Sequence, residues 1–212
     1  MTEKQTEKNM LMEFIAEDCH IDINKKIEYP PVALSYGEKV LQSSSGDTII
    51  PIALGTYGNL SVITAPPKTK KTFFVSLLAS AYLSGSNIYG GEIKGHRDDG
   101  DLIHFDTEQG NWHASKVFRR PLDMDSKIPT DKYHTFALRT IGHKERLEFI
   151  EYYLREKINK PSLVIIDGVA DLLADVNNIE QSNELVSALM RISTQCNVHI
   201  ICVIHQNFGS QK

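Results

Sequence analysis

The run Leu60-Ser61-Val62-Ile63-Thr64-Ala65-Pro66-Pro67-Lys68-Thr69-Lys70-Lys71-Thr72 decides the fold. Residues 60–64 are rich in aliphatic and β-branched side chains and read as a short buried strand. Residues 65–70 hold two prolines and two lysines and read as a loop. Residues 72–83 are apolar and contain neither glycine nor proline, which predicts a helix. Strand, basic loop and helix in direct succession form the first half of a β-α-β unit.

The same rhythm continues downstream. A connection over 84–100 carries Gly85, Gly90, Gly91, Gly95 and Gly100. Strands are expected at 102–106, 132–138, 163–166 and 198–204, with helices at 112–119, 144–157 and 182–195. The 163–166 strand and, apart from His199, the 198–204 strand are apolar rather than alternating, the mark of a parallel sheet covered by helices on both faces. Ligands of such sheets bind beyond the carboxyl ends of the strands. Upstream, residues 1–18 place Met10, Leu11, Phe14 and Ile15 at helical spacing, and the expected helix docks on the domain or on a neighbour. Pro30-Pro31 marks a boundary, dividing an N-terminal segment, 1–30, from an α/β domain, 31–212. Residues 32–54 are rich in β-formers around the turn cluster Ser43-Ser44-Ser45-Gly46-Asp47 and predict a β-hairpin.

Bulk properties narrow the class. The chain has 212 residues, 41% hydrophobic and 24% charged, enough for one α/β domain with an appendage. Its formal net charge of -4 supplies no global attraction to nucleic acid, so DNA binding would need a local basic patch or an assembled ring. Cys19, Cys196 and Cys202 lack metal-ligand spacing and read as small buried hydrophobes in a reducing compartment. The N-terminus is too polar for a signal peptide, and no apolar run approaches the roughly 18 residues of a membrane span. These features predict a cytoplasmic protein with no membrane partner.

Four strand ends carry the chemistry. After the first, Ala65, Pro66, Pro67, Lys68, Thr69, Lys70, Lys71 and Thr72 align with the phosphate-loop pattern G-x-x-x-x-G-K-[ST]. Lys71 and Thr72 match it; Ala65 and Lys70 stand where the pattern has glycine, which permits the positive φ that wraps backbone N–H groups around phosphates. Lys71 suits the β- and γ-phosphates and Thr72 a Mg²⁺ ion. The other reading of this segment is a basic turn with no ligand. After the apolar strand 163–166, Asp167 is placed to orient a Mg²⁺ shell, or simply to cap a turn. Glu108, just past Asp106, can orient and polarise an attacking water. His205, Gln206 and Asn207 end the last strand, where an amide or imidazole can detect a γ-phosphate; His205 also suits a plain hydrogen-bonding role. Trp112, Tyr133, Tyr152 and Tyr153 can stack on bases but read better as core or surface residues.

With these residues in place the chain resembles the RecA-like P-loop ATPases of the AAA superfamily, and among them the RepA-type helicase domains of plasmids and mobile elements. The resemblance covers about 60–207 and the hairpin before it. Phe105-Asp106-Thr107-Glu108 is similar to the strand end bearing the family's catalytic glutamate, and Ile204-His205-Gln206 to its γ-phosphate sensor. Ile166-Asp167-Gly168-Val169-Ala170-Asp171-Leu172-Leu173, followed by Asp175-Val176-Asn177-Asn178, resembles the RepA-type domain in particular. The resemblance implies ATP and Mg²⁺ as ligands, Glu108, Lys71 and Gln206 as catalytic residues, and hydrolysis coupled to movement on DNA by a self-associated, hexameric ring. The loop's missing glycines leave hydrolysis less firmly implied than binding. RecA-like domains also continue beyond the sensor strand, whereas this chain ends at Lys212, as a fragment or shortened relative would. Arg119, Arg120, Arg139 and Arg191 are candidates for a residue acting on a neighbour's site, and nothing in the sequence selects among them. A non-catalytic nucleotide sensor or assembly module is the alternative. A kinase is disfavoured by the lack of a lid-like arginine cluster.

Overall fold

The computed structural model describes residues 3–42, 44, 46–66, 68–87 and 90–205. Pro67, Gln206 and Asn207 lie outside the described residues. In chain order the elements are α1 (Glu3–Asp18), β1 (Val32–Leu41), β2 (Thr48–Thr56), β3 (Leu60–Ala65), α2 (Lys71–Ser84), β4 (Ile93–Gly95), β5 (Asp101–Asp106), α3 (Asn111–Met124), β6 (Tyr133–Ala137), α4 (His143–Tyr152), β7 (Pro161–Asp167), α5 (Ile179–Gln195) and β8 (His199–His205).

β3, β8, β7, β5 and β6 form, in that spatial order, an entirely parallel sheet. Alternate residues leave its two faces for two separate cores. On one face Ile103, Phe105, Val164, Ile166 and Ile200 pack against Ile150 of α4 and Leu185, Leu189 and Ile192 of α5. On the other, Leu102, Leu163, Ile165, Ile201 and Val203 meet Val75, Leu78, Ala79 and Tyr82 of α2, with Ala33 and Leu34 of β1 beside them. Two buried faces explain why the central strands are mostly aliphatic without polar alternation; each fully buried aliphatic side chain contributes about 1.5–3 kcal/mol.

The expected hairpin is β1 and β2, joined antiparallel into a second sheet of order β2-β1-β4. It is tied to the parallel sheet where the buried His199 Nδ1 donates to the Thr56 carbonyl at 2.9 Å. β4 was not legible in the glycine-rich connection. It is three residues long and exists because Gly95 passes so close to α2 that a Cβ would lie 2.1 Å from the Ala81 carbonyl oxygen.

Several boundaries move for local reasons. α5 begins at Ile179 rather than 182, because the Asn178 side chain accepts from Gln181 N at 3.0 Å and caps it. α3 runs through Pro121 to Met124, past the expected stop at 119. The predicted 144–157 helix is α4 followed by a π-helical turn, Tyr153–Lys157. Cys202 is buried as expected, Cys196 is half-buried, and Cys19 is exposed, which corrects the reading of all three as buried. α1 is helical, but Met10, Leu11, Phe14 and Ile15 are exposed and undocked. Tyr133 bonds His104 Nδ1 at 2.9 Å and Tyr153 packs on Phe136, so both are core residues. Trp112 and Tyr152 are exposed, each with a lysine over its ring. Among the described residues no helix is long and apolar enough to cross a membrane.

Candidate functional site

Strand order and register bring the candidate residues to one edge. Ala65 is level with His205, Asp167 with Val203, and Asp106 with Asp167. Because β8 lies between β3 and β7, His205 stands between the basic loop and Asp167. Glu108 follows β5 on the far side of Asp167.

The loop after β3 is held by its own polar groups. Thr69 Oγ1 donates to the Pro66 carbonyl at 2.7 Å. Lys71 is only 8% exposed, and its ammonium turns back and donates to the carbonyls of Ala65 (2.5 Å) and Pro66 (3.1 Å). Lys70 adopts φ 64° and ψ 28°, the left-handed conformation for which the pattern uses glycine, and α2 begins at Lys71 directly after it. A non-glycine residue there costs about 1–2 kcal/mol. Thr72 follows in the first turn of α2, half-buried.

Carboxylates form the opposite wall. His205 Nε2 is 3.3 Å from Asp167 Oδ1 and 3.3 Å from Glu108 Oε2, so one imidazole spans both acids. Burial pushes the carboxyl of Asp167 above its ordinary range, opposed by the bond from His205 and the charge of Lys71. Burial also raises Glu108; His205 opposes the shift, while Asp167, Asp171 and Asp106 reinforce it. Asp106 is raised chiefly by burial as well, with the N–H of Gln109 opposing.

Several residues of this edge were not singled out from sequence. Asp106 Oδ1 accepts from the backbone of Glu108 (3.0 Å) and Gln109 (2.7 Å), making the turn that presents Glu108. Its Oδ2 is buried and has no partner among the described residues. Thr107 Oγ1 lies 3.0 Å from the Asp167 carbonyl, 2.8 Å from that of Gly168 and 3.1 Å from Asp171 Oδ2; its single proton serves these three acceptors in turn. Gly168 at φ 95° brings its backbone against Thr107. Arg146 staples the surroundings, donating to the carbonyls of Leu138, Ile141, Arg139 and Asp171 at 2.8–3.1 Å. Their places just before an expected catalytic acid were a usable signal for Asp106 and Thr107. Arg146 had none, because its acceptors are backbone carbonyls.

A cavity of about 450 Å³ opens between the loop and α3. It is lined by Lys68, Lys70, Lys71, Thr72, Phe73, Gln109, Arg120 and His205, among others. Four permanent cations and no carboxylate line it among the described residues, in a chain of net charge -4. Such a cavity suits a highly charged anion. The wall beside it, with Asp167 and the partnerless Asp106 oxygen, suits a hard cation. Among the described residues no three His, Cys, Asp or Glu side chains are arranged to hold a metal ion by themselves.

A parallel sheet in this order, with a lysine–threonine pair opening the helix after one edge strand and an acid ending the middle strand, defines the RecA-like P-loop NTPase fold. The family model described as an AAA domain, AAA_25, matches residues 54–211, and the chain belongs to this family of AAA-type, P-loop ATPase-like domains. No curated protein matches the chain.

Proposed function

We propose that the protein binds ATP with Mg²⁺ at this edge and hydrolyses it, as a helicase-like ATPase acting in DNA replication or mobilisation. The observation that carries the reading is the cavity lined by Lys68, Lys70, Lys71 and Arg120, opening directly beside Glu108, Asp167 and His205. Lys71 exchanges its bonds to the Ala65 and Pro66 carbonyls for oxygens of the β- and γ-phosphates. The residues around it supply backbone N–H groups, Pro66 and Pro67 excepted. The Thr72 hydroxyl and Asp167 would hold Mg²⁺, which when bound screens charge on the phosphates. Glu108 orients a water and accepts its proton as the water oxygen bonds to the γ-phosphorus and ADP departs. His205, touching both acids, links the cation side of the site to the water side, and Gln206 is assigned with it to γ-phosphate detection. Such a site works mainly by positioning and by fixed charge.

The RepA-type assignment, DNA as partner and a ring assembly belong to this proposal too. The exposed Met10, Leu11 and Phe14 of α1 are available to a second subunit. The second reading, a nucleotide sensor without turnover, is favoured by one observation: His205 bridges Glu108 and Asp167, an arrangement in which Glu108 is restrained. Turnover of ATP with Mg²⁺, with and without single-stranded DNA, separates the two when wild type is compared with Glu108→Gln. DNA-stimulated turnover that disappears in Glu108→Gln supports the motor. Binding without turnover in either protein supports the sensor, and full turnover in Glu108→Gln removes the assigned role of Glu108.

A further inference from the structure

Four non-glycine residues among those described adopt positive φ: Lys68, Lys70, Asp99 and Asn197. Aspartate and asparagine enter this region readily, since a short polar side chain bonds its own backbone. Lysine has no such compensation, and two of the four residues are lysines of one loop, each at φ 64°. Glycine at position 70 would relieve the strain. A strained residue points to function when chemistry stands beside it.

Here it does. Lys70 is exposed and lines the same cavity as Lys71, Thr72 and Arg120. Lys71 has its ammonium engaged by two loop carbonyls, whereas the Lys70 side chain makes no hydrogen bond or ion pair among the described residues. Across the cavity Arg120 is fixed from α3: its guanidinium sits 4.1 Å over the Phe73 ring and donates to Ser76 Oγ at 3.3 Å. Three cations outside the Lys71–Thr72 pair therefore line one cavity: Arg120, anchored on α3, and Lys68 and Lys70, held at strained backbone positions of the loop, of which Lys70 directly precedes Lys71 at the position where the pattern has glycine.

We propose that Lys70 is a polyphosphate-binding residue, a positive charge placed in the loop itself where the pattern has glycine, and that it and Arg120 together neutralise a bound triphosphate within one subunit. The inference rests on the nucleotide reading above and deepens it by naming which residue the altered loop gained. The glycine's conformational ease is exchanged for a unit charge beside a ligand carrying several negative charges, where a unit charge changes affinity by about tenfold or more.

Two substitutions separate charge from backbone. Lys70→Gly and Lys70→Asn both accept the left-handed conformation and both lose the charge. Binding of ATP and of inorganic tripolyphosphate is measured for wild type and both variants at low and high ionic strength, with melting temperature alongside. The expected result is a loss of about tenfold or more in affinity for both ligands at low ionic strength, and a flatter salt dependence. Melting temperature should equal or exceed that of wild type, since strain is relieved. Unchanged or tighter binding in either variant, with wild type binding ATP, overturns the inference and leaves the nucleotide reading standing. If wild type binds neither ligand, both fail.

Discussion

Gly168→Ala reaches the site by adding a single methyl group. Gly168 sits at φ 95°, and a Cβ there would lie 2.3 Å from Thr107 Oγ1, 2.8 Å from Glu108 Cγ and 3.2 Å from Asp171 Oδ2. The left-handed conformation costs alanine about 1–2 kcal/mol. Thr107 must also turn its hydroxyl away from the carbonyls of Asp167 and Gly168, forfeiting a buried hydrogen bond worth about 1 kcal/mol. Against this, alanine restricts the unfolded chain and returns about 0.4–1 kcal/mol. The net expectation is a destabilisation of about 1–3 kcal/mol. Because the second contact is the stem of Glu108, ATP turnover should fall further than ATP affinity, which depends on the loop across the sheet edge. Urea unfolding gives the first quantity, steady-state hydrolysis and equilibrium binding the others. Stability within about 0.5 kcal/mol of wild type, the ordinary spread for a surface substitution, together with unchanged turnover, would refute the packing of Gly168 on Thr107 and Glu108 as the device that sets the acid's position.

Three further outcomes follow from the same geometry. His205→Ala removes the group within 3.3 Å of both Glu108 and Asp167; turnover should drop about 10–100-fold, the usual effect of losing an orienting partner, with ATP affinity changing less, and equal loss of both would assign His205 to binding alone. Burial holds the Glu108 carboxyl above its ordinary value, so the protonated acid is favoured in the folded state. That contribution to stability is fully present below the unfolded-state pKa and is lost as pH rises through the folded value. Glu108→Gln should accordingly raise the melting temperature near neutral pH and have less effect in acid, and a lowered neutral melting temperature would contradict the sign. In wild type, turnover should fall as pH drops through the raised Glu108 pKa, since the protonated acid cannot take a proton from water; a turnover profile flat down to the ordinary glutamate range would contradict it.

The parallel sheet and its order of strands and helices were legible because burial on both faces leaves no polar alternation in the central strands: 163–166 and 198–204 could be little else. The strand-end residues were legible for the same reason, polar side chains standing abruptly after apolar runs. Features made by tertiary contact were not. β4 pairs with β1 only because Gly95 clears the Ala81 carbonyl, and no local pattern announces a three-residue strand. α3 continues through Pro121, where local rules predict a stop. Lys70 was legible as a departure from glycine, but the left-handed backbone it adopts and the cavity it shares with Arg120 needed coordinates. The Thr107–Asp171–Arg146 network joins residues far apart in the chain, Thr107 through the Asp171 carboxylate and Arg146 through the Asp171 carbonyl, and such tertiary bonds carry no local sequence signal.

The most direct test of the central claim is equilibrium binding of ATP in the presence of Mg²⁺ to wild type and to Lys71→Ala. Lys71 is buried at the mouth of the loop, with its ammonium on the Ala65 and Pro66 carbonyls, where phosphate oxygens would replace them. Saturable binding to wild type that is lost in a folded Lys71→Ala variant is the predicted result. Equal binding by both proteins would place the nucleotide elsewhere, and no binding by wild type would mean that this edge of the sheet is not a nucleotide site.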